Sequence, residues 1–166
     1  QMCIRDRGYT VEETADGCHL TWVMAMKPKG LAGEQLAELV ALRDAGCVAF
    51  GNGLAPLAGN RTLRRALEYA ATFDLTVVFH AQDTDLAAGG LAHEGATASF
   101  LGLAGIPETA ETVALARDLL LVEQSGVRAH FSQITSARGA EMIASAQARG
   151  LPVTADVAMY LSLIHI

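Results

Sequence analysis

Helix-like and strand-like segments alternate at close intervals from Gly30 onward. In four stretches apolar residues recur at helical spacing, and a short apolar run that predicts a strand follows each of them. The predicted helices span 31–45, 62–73, 107–124 and 136–149, and the predicted strands span 47–50, 75–80, 127–131 and 152–157. This alternation favours a parallel sheet with crossover helices, either as a barrel or as an open doubly wound sheet.

The length and hydropathy of the chain narrow the choice of architecture. A closed eight-stranded α/β barrel typically needs about 250 residues, whereas this chain has 166. Its mean hydropathy is high, at +0.29, although no apolar run approaches the roughly 18 residues of a membrane helix. We therefore expect strands that are buried on both faces, as in a parallel sheet covered by helices.

Charge and cysteine content exclude several classes of function. The net charge is −6 and no cluster of Lys and Arg is present, so a surface for nucleic acid or for an anionic membrane is not expected. Cys3, Cys18 and Cys47 have neither CxxC nor zinc-finger spacing. With no secretion signal in view, we expect a cytoplasmic protein.

Both ends of the chain depart from the periodic pattern. Residues 1–7 (QMCIRDR) and 161–166 (LSLIHI) resemble translated sequencing adapters, and we expect both to be artefactual. Residues 8–29 are left unassigned, with an error of reading frame as one explanation. Residues 30–160 are then the folded domain, and we expect it to be a fragment of a longer protein.

Candidate functional residues follow the predicted strands, because functional groups gather at the carboxyl ends of parallel strands. Asn52 follows the first strand between two glycines, His80 ends the second, Gln133 follows the third, and Asp156 lies near the end of the fourth. His80 ends an otherwise apolar strand. On its own it is equally compatible with a metal ligand or general base and with a histidine satisfied by a backbone carbonyl.

The segment that begins at His80 is more specific than any of its single residues. It comprises His80-Ala-Gln-Asp83, Gly89-Gly90, His93-Glu94-Gly95 and Leu101-Gly-Leu-Ala-Gly-Ile-Pro107. In this order and spacing it resembles the dihydroorotase branch of the amidohydrolase superfamily. The resemblance continues through Arg117-Asp118, the strand with His130 and the run 153–157, and it covers about 30–160.

This resemblance implies part of a TIM-type (β/α) barrel, about strands 3 to 7, with parallel strands and outer helices. In the family, zinc is held by an HxH pair on the first strand, an Asp or carboxylated Lys on the fourth, and single histidines on the fifth and sixth. An Asp on the eighth strand acts as general base. Zinc in such a site lowers the pKa of a bridging water and polarises the scissile amide.

Carried over residue by residue, the resemblance implies a depleted site. His80 corresponds to the fifth-strand ligand and is retained, as a vestigial metal ligand. The fourth-strand acidic position falls at Asn52 and the sixth-strand histidine falls at Gln133, and a carboxamide is a poor zinc ligand. His130 is expected to be a supporting residue. We therefore expect no catalytic residue in this chain and no bound zinc.

The substitutions at Asn52 and Gln133 resemble those of non-catalytic family members that accompany aspartate carbamoyltransferase in some bacteria. Such proteins scaffold the transferase in pyrimidine biosynthesis, which implies a hetero-oligomer with that partner. The alternative left open is an active zinc-dependent cyclic amidohydrolase that opens dihydroorotate or a related cyclic amide, with His80 and ligands from strands outside this chain. A sugar-phosphate barrel enzyme would need a strand-end Lys or a phosphate loop, and the matched region has neither.

Overall fold

A computed structural model describes residues 23–24, 26–28, 34–36, 39–51 and 59–158. In chain order its strands are β1 (Val23–Met24), β2 (Met26–Pro28), β3 (Glu34–Leu36), β4 (Phe50–Gly51), β5 (Thr76–His80), β6 (Ala92–His93), β7 (Gly105–Ile106), β8 (Arg128–Ser132) and β9 (Val153–Ala155). Its helices are α1 (Leu39–Asp44), α2 (Asn60–Thr72), α3 (Ala96–Phe100), α4 (Glu108–Ser125) and α5 (Ala137–Ala148).

The main sheet has five strands in the order β1-β4-β5-β8-β9, and all of them run parallel. Neighbours in the sheet therefore follow one another in the chain, with α2, α4 and α5 in the connections from β4 onward. This is the arrangement that consecutive strands of an α/β barrel have. The predicted parallel sheet with crossover helices is confirmed.

The hydrophobic core lies between this sheet and helices α2, α4 and α5, with α4 packed against both of the other two. Leu67, Leu115 and Val122 supply fully buried helical side chains. On the sheet, the rings of Phe79 and Phe131 are stacked, with their centroids 5.1 Å apart. Full burial of each such side chain stabilises the fold by about 1.5–3 kcal/mol.

Alternate residues of the same strands point away from the helices. Val78 is aligned with His130, and His80 with Ser132, in the pairing of β5 with β8. His130 is in turn aligned with Thr154 of β9. Because side chains alternate along a strand, these polar residues share the face opposite Phe79 and Phe131, which in a closed barrel is the interior.

Three of the four predicted helices are confirmed within two residues, as α2, α4 and α5. Gly126 ends α4 in the left-handed conformation (φ 69°), and its N–H donates to the carbonyl of Val122 at 2.8 Å, as the sequence indicated. The structure has no helix in its described ranges that is long and apolar enough to cross a membrane.

The predicted helix 31–45 is wrong in its first half. Residues 34–36 form β3, which pairs antiparallel with β2, and the helix begins only at Leu39. Helix propensity is a weak preference that tertiary context overrides, here the antiparallel pairing of β3 with the preceding strand β2. The predicted strand 47–50 also begins later, at Phe50.

The predicted loop 81–106 is not irregular throughout. It contains α3 and two short strands, β6 and β7, that pair parallel with each other. Strands β1 and β2 lie in the stretch 8–29 that the sequence left unassigned. The two ends expected to be artefactual, 1–7 and 161–166, lie outside the described residues.

Candidate active site

His80 lies at the carboxyl end of β5, on the face away from the helices, and is half-buried. Its Nδ1 atom is fully buried, and no described residue offers it a hydrogen-bond partner. The backbone carbonyl that would satisfy a structural histidine is therefore not found at Nδ1. An unbonded ring nitrogen on this face can coordinate a metal ion or form a hydrogen bond with a bound molecule.

His130 lies on the neighbouring strand, and both of its ring nitrogens are engaged. Nδ1 lies 2.8 Å from the Thr154 hydroxyl, and Nε2 lies 2.9 Å from Oδ2 of Asp156. Because a carboxylate only accepts, Nε2 donates to Asp156, while the Thr154 hydroxyl can either donate to Nδ1 or accept from it. His130 thus has no free nitrogen for a metal.

Asp156 joins the ends of β8 and β9. Its Oδ1 accepts a hydrogen bond from the backbone N–H of Gln133 at 2.7 Å, while Oδ2 contacts His130. Its own N–H donates to the carbonyl of Phe131, and its carbonyl accepts from the N–H of Ile134, both at 3.0 Å. Burial raises the pKa of Asp156, but the hydrogen bonds from His130 and Gln133 outweigh it and hold this pKa below its ordinary value.

Gln133 is the first residue after β8 and adopts a left-handed backbone conformation, with φ of 62°. For a residue with a Cβ atom this conformation costs about 1 kcal/mol, and the hydrogen bond that the Gln133 N–H donates to Asp156 helps to offset that cost. The chain therefore leaves the strand direction at Gln133. Its side chain ends in a carboxamide at the position where the resemblance implies a histidine.

A second carboxylate fixes the segment that follows Gln133. Oε2 of Glu111, in the first turn of α4, accepts from the N–H and hydroxyl of Thr135 at 2.7 and 2.6 Å. Oε1 accepts from the N–H and hydroxyl of Ser136 at 3.1 and 2.5 Å. Ser136 in turn caps α5 by accepting from the N–H of Gly139 at 2.9 Å.

The four hydrogen bonds on Glu111 also control its protonation. Burial raises the pKa of this carboxyl, but the bonds from Ser136 and Thr135 together lower it below its ordinary value. Sequence reasoning missed Glu111 entirely. The only local signal was Ser136 before an apolar-periodic run, which indicates a helix cap but not the carboxylate that binds it.

Of the sequence-predicted site residues, the structure places His80 and Gln133 at the carboxyl ends of adjacent strands. Asn52 lies outside the described residues, which stop at Gly51 and resume at residue 59. Asp156, noted only as a strand-end acid, proves to be the residue that links Gln133 to His130.

The described residues do not by themselves fit a zinc ion. Catalytic zinc in proteins has three protein ligands, drawn from His, Cys and carboxylates. No group of three such residues converges within the ranges that the structure describes. His80 offers a free nitrogen, but His130 is committed to Thr154 and Asp156.

The sequence of the chain is similar to that of a known protein family. A sequence model described as "Dihydro-orotase-like" matches residues 11–139, most of the chain. The "Dihydroorotase-like protein" of Pseudomonas putida is 84% identical over 132 residues, which are 80% of this chain and 31% of that protein. The "Dihydroorotase" of Syntrophobacter fumaroxidans is 48% identical over 129 residues, 78% of this chain and 29% of that protein. The chain thus spans about a third of the length of the curated relatives that it matches.

Solved structures share the fold at lower sequence identity. L-hydantoinase from Arthrobacter aurescens superimposes with a TM-score of 0.57 at 24% identity, over 73% of this chain and 29% of that one. D-hydantoinase from Bacillus sp. AR9 superimposes with a TM-score of 0.60 at 19% identity, over 74% of this chain and 29% of that one. These similarities concern the fold alone, and they confirm the predicted partial TIM-type barrel. Together with the match over residues 11–139, they show that the chain belongs to the dihydroorotase-like family of the amidohydrolase fold.

Proposed function

We propose that this chain belongs to a non-catalytic dihydroorotase-like protein of pyrimidine biosynthesis that scaffolds aspartate carbamoyltransferase. The observation that carries the proposal is Gln133 at the end of β8. Its backbone is held by Asp156 at 2.7 Å, and it carries a carboxamide where a catalytic relative would need a metal-binding histidine.

Among the residues that the structure describes, His130 is the nearest alternative to the missing histidine. His130 precedes Gln133 by three positions, but its ring nitrogens are bonded to Thr154 and Asp156. To free either nitrogen, a polar contact on the interior face would have to break. Both contacts are accessible to solvent, and a hydrogen bond of this kind contributes about 0.5–1.5 kcal/mol. With both nitrogens engaged, His130 supports the strand ends and is a poor substitute ligand.

The names of the relatives support the same proposal. The two Pseudomonas relatives at 84% and 82% identity carry the name "Dihydroorotase-like protein", whereas those at 44–48% carry the name "Dihydroorotase". This chain is far more similar to the first group. Its function on this proposal is binding, in the cytoplasm and in a hetero-oligomer, without bound zinc and without nucleic acid or membrane.

One observation favours a second candidate, an active zinc-dependent cyclic amidohydrolase acting on dihydroorotate or a related cyclic amide. Nδ1 of His80 is buried and has no hydrogen-bond partner among the described residues, as a metal ligand without its metal would be. This candidate needs the remaining ligands from outside the described residues. It also needs a site that functions with Gln133 in place of a histidine.

A hybrid protein separates the two candidates. It is the full-length Pseudomonas putida relative in which residues 30–160 of this chain replace the corresponding segment; identity of 84% makes the exchange conservative. We expect the purified hybrid to contain far less than one zinc per chain, to hydrolyse no dihydroorotate, and to co-purify with the Pseudomonas aspartate carbamoyltransferase. About one or more tightly bound zinc ions together with turnover would establish the enzyme and refute the scaffold.

A further inference from the structure

The four backbone N–H groups between β8 and α5, those of residues 133–136, all donate to two acidic residues. The first two donate to Asp156, one to its carboxylate at 2.7 Å and one to its backbone carbonyl at 3.0 Å. The last two donate to the two carboxylate oxygens of Glu111, at 2.7 and 3.1 Å. Asp156 follows β9 and Glu111 lies in the first turn of α4, so the backbone donors of this segment depend on two other elements.

Side chains strengthen the same attachment. The hydroxyls of Thr135 and Ser136 also donate to Glu111, at 2.6 and 2.5 Å, which gives this carboxylate four hydrogen bonds. Ile134 places its side chain in the hydrophobic core. Gln133 takes a φ of 62°, a conformation that a residue with a Cβ atom rarely adopts unless surrounding contacts hold it there. The segment is therefore held along its whole length by residues outside it.

The position of Glu111 is itself fixed. The carbonyl of the preceding residue, Ala110, accepts from the N–H of Asp83 at 2.7 Å, which ties the first turn of α4 to the chain just after β5. On the other side Gly139 leaves room for the carboxylate, since a Cβ atom there would collide with Oε1 of Glu111. Glu111 therefore links the segment after β8 to the segment after β5 through one helical turn.

The two acids act on four consecutive residues, and this adjacency couples them. Ordering a backbone residue costs conformational entropy, whichever contact orders it. Residues 133–134 lie next to residues 135–136 in the chain, so the order that one acid imposes reduces the entropy that the other has to overcome. Each acid therefore strengthens the attachment of the other, which is positive coupling through conformational entropy.

We infer that Glu111 and Asp156 act as one clamp on residues 133–136, so that release of either carboxylate frees the whole segment. Glu111 is then a positioning residue for Gln133 and acts on it through Thr135 and Ser136. The inference rests on the proposed function only in taking Gln133 as a residue of the site, and it involves neither zinc nor turnover.

The test is amide hydrogen exchange of the hybrid protein, resolved residue by residue by mass spectrometry, which reports local opening. Glu111→Gln weakens the attachment of residues 135–136 and leaves Asp156 in place. We expect the N–H of Gln133 to exchange at least about fivefold faster in this variant, since coupling between sites typically amounts to about 5–150-fold. Asp156→Ala should accelerate the N–H of Thr135 by a similar factor. In the double variant the acceleration should be smaller than the product of the two single effects.

A matched control and a milder variant keep the test decisive. Glu108→Gln changes an exposed acid in the same turn of α4, which accepts from none of the four N–H groups, and should alter their exchange less than about twofold. The N–H of Ala129, which donates to the carbonyl of Pro152 at 3.0 Å, reports the opening of the sheet and should not change. If Glu111→Gln fails to fold, Thr135→Val removes only the hydroxyl bond to Glu111 and should still accelerate exchange at Gln133.

The outcomes separate this inference from the proposed function. Acceleration confined in each variant to the N–H groups that lost their own acceptor would overturn the clamp, because the two acids would then act independently. Equal acceleration at Gln133 and Ala129 would also overturn it, because the whole sheet would then open together. Zinc binding with turnover by the unmodified hybrid would refute the scaffold and leave the clamp standing.

Discussion

The carboxylate of Asp156 holds the backbone of Gln133, with 2.7 Å between Oδ1 and the N–H, across 23 positions of sequence. The other oxygen of the same carboxylate holds His130. Asp156 therefore fixes both the backbone that follows β8 and the side chain of His130 within that strand. Together these contacts hold the end of β8 through hydrogen bonds among the chain's own residues.

Removal of the Asp156 carboxylate should destabilise the hybrid protein. Asp156→Ala leaves the N–H of Gln133 and Nε2 of His130 without their acceptor. Since hydrogen bonds to charged groups contribute about 1.5–3 kcal/mol and Asp156 is partly exposed, we expect a loss of about 1–2 kcal/mol in the free energy of unfolding. Urea denaturation measures it. Asp85→Ala, in the exposed loop, is the control, and an equal effect of the two substitutions would contradict the role of Asp156.

The pKa of Glu111 predicts how stability depends on pH. Because the hydrogen bonds from Ser136 and Thr135 outweigh the effect of burial and lower the pKa of Glu111 below its ordinary value, the folded state favours the carboxylate. The contribution is therefore fully present above the unfolded pKa and is lost as pH falls through the lowered folded pKa. Urea denaturation between pH 7 and pH 3 measures the effect. We expect the Glu111→Gln variant to be about 1–2 kcal/mol less stable than the unmodified hybrid at pH 7 and to lose less of its free energy of unfolding on acidification. Parallel pH profiles of the two proteins would contradict this assignment.

The sequence was sufficient for features that depend on local periodicity. The helices α2, α4 and α5, the strands β5 and β8, and the stop at Gly126 follow from apolar spacing and turn residues. The pairing of β2 with β3 and the unit formed by β6, α3 and β7 did not. Strands of two or three residues are too short to show an alternating pattern, and their stability depends on packing against a partner strand.

The same distinction applies to the candidate site. His80 and Gln133 were found because parallel strands bring their carboxyl ends together. The contacts of Asp156 and Glu111 were not found, since they join positions 23–26 residues apart, and no local pattern specifies them. The roles of His80, Asn52 and Gln133 as retained and lost ligand positions stay predictions.

Gly139 offers a test of the packing at the start of α5. In a helix interior Gly→Ala usually stabilises by about 0.5–1 kcal/mol. Here a Cβ atom would collide with Oε1 of Glu111 and lie 3.0 Å from Oγ of Ser136. We therefore expect Gly139→Ala to destabilise the hybrid by about 1–2 kcal/mol, measured by urea denaturation. Arg138→Ala, on the exposed side of the same turn, should be nearly neutral, and a stabilising Gly139→Ala would show that Glu111 does not bind as described.

The left-handed backbone of Gln133 predicts opposite effects for two substitutions at one position. At φ of 62° glycine has no Cβ atom to clash with the following carbonyl, so Gln133→Gly should raise the free energy of unfolding by about 0.5–1 kcal/mol. Gln133→Val places a β-branched side chain in the same conformation and should lower it by more than about 1 kcal/mol. Both variants keep the N–H that binds Asp156, so the comparison isolates the backbone conformation from the hydrogen bond. If the valine variant were as stable as the glycine variant, Gln133 would not adopt this conformation, and the hydrogen bond to Asp156 that depends on it would have to be reassigned.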